Sequence, residues 1–160
     1  HIAVGISGGK RQPYPALCAS WIKRFYPRKF DLSAVTVDLG FADFNLEPIQ
    51  NLCRELEVPY KIVKSDIYDI LFNVRQESNP CSLCAKMRKG ALNEAVKEMG
   101  CNKVAYAHHK DDIIETMLLS LIFEGRFYSF SPKTYLDRMD LTVIRPMMFI
   151  DEMEVIGFSQ

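Results

Sequence analysis

Apolar positions along this chain fall into two alternating rhythms. Residues 2–6, Ile-Ala-Val-Gly-Ile, form a short apolar run with no polar alternation, as expected of a parallel strand buried on both faces. Comparable runs at 33–37, 60–63, 103–107 and 141–144 predict four more strands. Between them the spacing turns helical. Ile49, Leu52, Cys53 and Leu56 share one face of a helix over 48–56, and helices are also predicted at 16–25, 67–74, 80–99 and 111–123. Gly100 and Gly125 stand where the last two should stop. In the 111–123 helix, Ile113, Ile114, Met117, Leu118, Leu121 and Ile122 read as a core-facing side. Residues 126–140 are the least regular and read as a surface loop. Strands alternating with helices give right-handed crossovers, so the expected fold is α/β: a doubly wound, mainly five-stranded parallel sheet flanked by helices.

Composition narrows the classes. At 160 residues the chain reads as a single domain, 1–160, long enough to bury a core. The formal net charge is zero, so no overall field draws in a polyanion and any nucleic-acid contact must rest on local clusters. No run approaches the roughly 18 apolar residues of a membrane span, and no signal peptide is visible. Five cysteines without a secretory signal suggest reduced thiols or metal ligands in a cytoplasmic setting. Both ends read as cut points in a longer chain, since a strand begins directly after His1 and the last ten residues read as an opening helix.

Candidate chemistry concentrates at three places, and each follows a predicted strand. Ser7-Gly8-Gly9-Lys10 follows the first; paired glycines let backbone N–H groups approach an anion, and Lys10 adds a charge. The spacing is not that of a Walker loop, and a tight turn without ligand explains it equally well. Asp38 ends the second strand, and His108-His109-Lys110-Asp111-Asp112 follows the fourth. Acids in a first helical turn are common dipole complements, but two His beside two Asp at a strand end suit nucleotide–Mg²⁺ handling. In a doubly wound sheet these strand ends share one crevice. Separately, Cys81 and Cys84 open a helix with Lys86, Arg88 and Lys89 beside them. Zinc or iron–sulfur ligation, a redox dithiol and plain packing all remain open for that pair. Cys18, Cys53 and Cys101 read as core.

Together, S-G-G-K at 7–10, N-P-C-S-L-C-A-K-M-R-K-G at 79–90 and A-H-H-K-D-D-I-I-E-T at 107–116 resemble the PP-loop ATP pyrophosphatases. Within that superfamily the chain looks most like the tRNA 2-thiocytidine synthetases and their thiolating relatives, most strongly over 60–146 with its V-I-R-P at 143–146. The resemblance implies a PP-loop (adenine nucleotide α-hydrolase-like) fold and an ATP-dependent tRNA sulfurtransferase. Such an enzyme adenylates a pyrimidine C2 oxygen, that of a cytidine in the anticodon loop, and replaces it with sulfur, releasing AMP and pyrophosphate.

Carried over by motif, Ser7, Gly8, Gly9, Lys10, Asp38 and His108 would bind ATP. Arg88, Asp111 and Asp112 would be catalytic. Cys81 and Cys84 would hold a [4Fe–4S] cluster, with zinc as the alternative and the third ligand beyond Gln160. The implied cofactors are ATP, Mg²⁺ and the cluster; the implied partners are tRNA and a sulfur donor, with a homodimer compatible and no membrane. Lys86, Arg88 and Lys89 would meet tRNA; Lys23, Arg24, Arg28 and Lys29 fit solvated surface better. The chain departs from the family's S-G-G-x-D-S, because Arg11-Gln12-Pro13-Tyr14-Pro15 follows Lys10 and removes the Asp and Ser. Other readings are uridine thiolation, lysidine-type activation (which the C-x-x-C argues against) and an ATP- or tRNA-binding module with impaired catalysis.

Overall fold

The computed structural model describes residues 1–6, 30–40, 45–74 and 80–157, with backbone alone for 155–157. The loop at 7–10 and the helix predicted over 16–25 lie outside the described residues. Among the described residues, six strands form one sheet: β1 (Ile2–Gly5), β2 (Leu32–Asp38), β3 (Tyr60–Lys64), β4 (Lys103–Ala105), β5 (Lys133–Leu136) and β6 (Leu141–Ile144). Their order is β3-β2-β1-β4-β6-β5. The parallel pairings β1·β2, β1·β4, β2·β3 and β4·β6 make up the expected five-stranded parallel body.

The sequence reading of 126–140 as a loop is corrected at its centre. Residues 133–136 pair antiparallel with β6, Lys133 opposite Ile144 and Leu136 opposite Leu141, and add a sixth strand at the edge. An edge strand is half solvated and needs no apolar run, so its short Lys-Thr-Tyr-Leu pattern was hard to see. Asp137–Met139 form a 3₁₀ turn, and Asp140 adopts a left-handed conformation at φ 46° that reverses the chain into β6.

Alternating side chains divide the core in two. On one face Ala3, Val35, Val37, Val104, Leu141 and Val143 pack against Leu92, Ala95 and Val96. On the other, Val4, Ile6, Leu32, Ala34 and Ala105 pack against Ile49 and Cys53. The second face is covered by α1 (Glu47–Glu55), whose proline sits in the first helical turn where no N–H partner is lost. After β3 the chain makes a short helix, α2 (Ile67–Asp69), that runs into a π turn over Ile70–Val74, with Ile67 and Leu71 inward.

The first face is covered by α3 (Pro80–Glu98). It opens on a proline and ends at Gly100, whose positive φ of 70° lets the Cys101 N–H return to the Val96 carbonyl. Gly5 leaves room for Leu92 of α3: a Cβ there would lie 2.7 Å from Leu92 Cδ2.

The helix α4 (Lys110–Glu124) follows β4 and stops at Gly125 in the left-handed region. Its expected core face is also corrected. Ser120 is its buried residue, and Ile113, Thr116 and Met117 on the same side are half-buried. Ile114, Leu118, Leu121 and Ile122 are exposed. The helix is apolar around most of its circumference, so spacing alone does not fix which stripe turns inward. No helix among the described residues is long and apolar enough to cross a membrane.

The fit between Gly5 and Leu92 separates two glycine substitutions. Gly5→Val should destabilise by about 1–3 kcal/mol, because a buried leucine must move. Gly90→Ala, in the open middle of α3 with nothing within 4 Å, should stabilise by about 0.5–1 kcal/mol. Urea unfolding midpoints of the two variants measure both.

Candidate functional site

The chain runs from β1 to β2 to β3 in one direction, then returns to place β4 on the other side of β1. The strand order therefore reverses between β1 and β4, and a crevice lies at their carboxyl ends. A cavity of about 840 Å³ occupies this crevice, within the size range of a nucleotide-sized ligand site. Gly5 and Ile6 reach it from β1, Tyr106 and His108 from β4, Arg88 from α3 and Arg145 from β6.

The cavity brings together some of the residues singled out from sequence and leaves others apart. Arg88, His108 and Asp112 line it, as does Lys89. Asp38 and Asp111 do not, nor do Cys81 and Cys84, although Ala85 on the same helix does. Ser7, Gly8, Gly9 and Lys10 lie outside the described residues, but Ile6, which precedes them in sequence, is part of the cavity wall.

Each carboxylate has a local task. The Asp112 side chain accepts the His109 backbone N–H at 2.8 Å, reaching back across the first turn of α4. Asp111 Oδ2 accepts the Glu152 N–H at 2.7 Å and so ties α4 to the start of α5 (Glu152–Gly157). Asp38 Oδ1 accepts from the Gly40 N–H at 3.0 Å, stabilising the turn that leaves β2, where Gly40 has φ 86°. The His109 ring lies 3.6 Å from both Asp111 and Asp112 oxygens, beyond hydrogen-bond length. These bonds leave each acid with further lone pairs. A carboxylate already fixed at a helix start presents them in a set direction.

Cys81 is exposed and Cys84 half-buried in the first turn of α3, three residues apart and hence on one side of the helix. Both thiols are free. This donor pair suits one soft metal centre, but among the described residues no three His, Cys, Asp or Glu side chains gather to hold a metal ion. A cluster or zinc ion would need further ligands from outside those residues.

The sequence reading did not single out Arg145, Tyr106, Asn93 or Phe130 as site residues. Arg145 is only 8 % exposed. Its Nη1 donates to the Ser131 carbonyl at 2.6 Å and to Thr134 Oγ1 at 3.1 Å. Its guanidinium carbon lies 4.9 Å from the Phe130 ring centre, and that ring is 4.7 Å from His108. The Tyr106 hydroxyl donates to Asn93 Oδ1 at 2.8 Å, and burial pushes its pKa up to about 12. A cation inside V-I-R-P, directly after a buried strand, was the available signal for Arg145.

A family model described as a PP-loop domain matches residues 1–160. A protein of Geobacter sulfurreducens named tRNA-cytidine(32) 2-sulfurtransferase is 36 % identical over 99 % of this chain. A Neisseria meningitidis protein of the same name is 34 % identical over the same share. The chain spans 62 % of the length of the first and 50 % of the second. Among solved structures, the U34-tRNA thiolase NcsA from Methanococcus maripaludis, with its [4Fe–4S] cluster, superposes with a TM-score of 0.74. It is 25 % identical, over 99 % of this chain and 54 % of that one.

Burial, and then the Arg145 cation, lower the His108 pKa below the ordinary 6.5, with Lys89 and His109 adding to the shift and Asp112 opposing it. Between the lowered value and 6.5 the unfolded chain holds more protons than the folded one, so stability rises with pH across that window. Stability should therefore fall as the medium is acidified below about pH 6.5, and His108→Gln should flatten this dependence. Denaturant midpoints measured between about pH 5 and pH 8 test it; an unchanged slope in the variant would assign the dependence to another group.

Proposed function

From the membership of this chain in the PP-loop family, we propose that it is the ATP-dependent catalytic domain of a tRNA sulfurtransferase, acting on C2 of a cytidine in the anticodon loop. One observation carries the reading. The basic turn that follows the C-x-x-C pair on α3 and the His108/Asp112 corner of α4 face the same cavity at the sheet's switch point. The names of the relatives support the choice of substrate and of sulfur chemistry.

In this reading Ser7, Gly8, Gly9 and Lys10 hold the ATP phosphates beside the cavity wall at Ile6, with Mg²⁺ accompanying the nucleotide. The pyrimidine C2 oxygen attacks the α-phosphorus and pyrophosphate leaves. A sulfur nucleophile then adds at C2, and the carbon–oxygen bond breaks to release AMP. Arg88, half-buried on the cavity wall, offsets charge that builds on the transferring phosphoryl and departing AMP oxygens. Asp112, held by the His109 N–H, orients donors against the activated base. His108 is kept neutral by burial and Arg145, and so offers a lone pair or an N–H without adding a cation. Cys81, Cys84 and a third ligand outside the described residues would hold a [4Fe–4S] cluster that supplies activated sulfur. The absence of the family's Asp and Ser after Lys10 leaves Lys10 and the glycine N–H groups as the phosphate holders of the loop.

The full-length protein should purify anaerobically with a brown chromophore that Cys81→Ala removes. Colourless protein holding stoichiometric zinc would overturn the cluster assignment. Nucleoside mass spectrometry of tRNA from a strain lacking the gene should show loss of a 2-thiopyrimidine, restored by the wild-type protein. Asp112→Asn keeps an oxygen for the His109 N–H and removes the charge, so it should lower turnover on the order of 100-fold with little loss of stability. Equal turnover would remove Asp112 from the reaction.

A further inference from the structure

We propose that Arg145 is a phosphate-binding residue of this cavity, its Nε and Nη2 presented as a two-pronged donor to a phosphate group of the substrate, with His108 Nδ1 as a third polar contact. The inference rests on the reading of the cavity as a nucleotide-handling site, and it adds a residue and a ligand group to it.

Three observations point the same way. Arg145 is a charge more than nine-tenths buried, and such a charge is costly unless an anion accompanies it. No carboxylate forms an ion pair with it among the described residues, and the groups that act on its charge are the phenols of Tyr106 and Tyr128. The second observation is directional. Nη1 is fully used in holding Ser131 and Thr134, which fixes the plane of the guanidinium. The Nε is buried without a hydrogen-bond partner, and Arg145 lines the cavity. A guanidinium anchored through one nitrogen leaves its Nε/Nη2 edge free, and that edge matches two oxygens of a phosphate.

The third observation is the neighbour. His108 Nδ1 is likewise buried without a partner, on the same cavity wall, and both side chains meet the Phe130 ring, at 4.9 Å and 4.7 Å. Two unpartnered nitrogens beside one aromatic ring on a cavity wall fit a ligand better than packing alone, because packing would have left both desolvated for nothing. Arg88 and Lys89 on α3 add positive charge to the same cavity, against Asp112 and Glu152. The phosphate can come from ATP or from the RNA backbone at the target nucleotide, since both carry the same anionic oxygens.

The test uses the full-length protein with Arg145→Gln and Arg145→Lys. Dissociation constants are measured at one salt concentration for ATP without RNA, and for an unmodified anticodon stem-loop RNA without ATP. Arg145→Gln should weaken one of these ligands by roughly 10- to 100-fold, the loss expected when a charge-assisted hydrogen-bond pair is removed. Arg145→Lys, which keeps the charge and loses the fork, should recover only part. A fall confined to ATP assigns the nucleotide phosphate, and one confined to RNA assigns the backbone phosphate.

Tyr135→Phe, at an exposed position on the same strand, leaves Nη1 and both its anchors in place and should change neither affinity more than about twofold. A loss as large as that of Arg145→Gln would reduce Arg145 to a strut and overturn the inference. Unchanged binding of both ligands by folded Arg145→Gln would do the same. If neither Arg145 variant folds, the wild-type protein decides: its protected arginine Nε–H NMR resonance should shift on adding ATP or RNA, and a resonance unmoved by both defeats the proposal. These arms read binding without thiolation. A protein that thiolates no tRNA yet loses a ligand on Arg145→Gln would overturn the sulfurtransferase reading alone. One that thiolates tRNA while Arg145→Gln binds both ligands unchanged would overturn this inference alone.

Discussion

The contact between Gly5 and Leu92 is the constraint on which the site depends. Leu92 of α3 packs over the end of β1 where β1 offers no side chain, and a Cβ on Gly5 would lie 2.7 Å from its Cδ2. That approach brings Arg88, one turn before Leu92, to the crevice between β1 and β4. Cys84 and Cys81 lie about one and two turns before Arg88 on the same helix. A helix held farther off would widen the cavity and separate the basic turn from His108 and Asp112. The last residue of a strand thus leaves room for the helix that carries Arg88 to the cavity.

Much of this arrangement was legible in the residues. The unalternating runs at β1 and β2 belong to strands buried on both faces, and the glycines after α3 and α4 stop both helices as their positions imply. The motif at 107–116 placed His108 and Asp112 at a strand end before any geometry was known. Two other features were not legible. β5 carries only Thr134 and Leu136 toward the protein, too little pattern for an edge strand to announce itself. α4 is apolar nearly all round, and the choice of Ile113, Thr116, Met117 and Ser120 as its inner stripe is made by its neighbours. Arg145 stands inside the V-I-R-P run at 143–146, but a single arginine has no spacing that marks it as a site residue. Its significance appears only when its burial and its partners are known.

The acids around the cavity show how one side chain can serve fold and site together. Asp112 is at once the residue that closes the first turn of α4 and a wall of the cavity. Asp111 turns the other way and secures α5. Adjacent in sequence and alike in chemistry, the two diverge because neighbouring helix positions point about 100° apart. A sequence motif reports them as a pair, whereas the structure gives each its own partner.

Arg145 joins two regions that sequence drift would otherwise treat separately. The outer strand β5 and the loop before it are held to the body of the sheet in part through Ser131 and Thr134, and both meet the same Nη1. An edge strand is ordinarily the freest part of a sheet to accumulate substitutions. Here Thr134 is one of the two acceptors that orient a guanidinium on the cavity wall. The rim of the sheet is thereby tied mechanically to the cavity, and β5 is held from inside as well as along its ladder with β6.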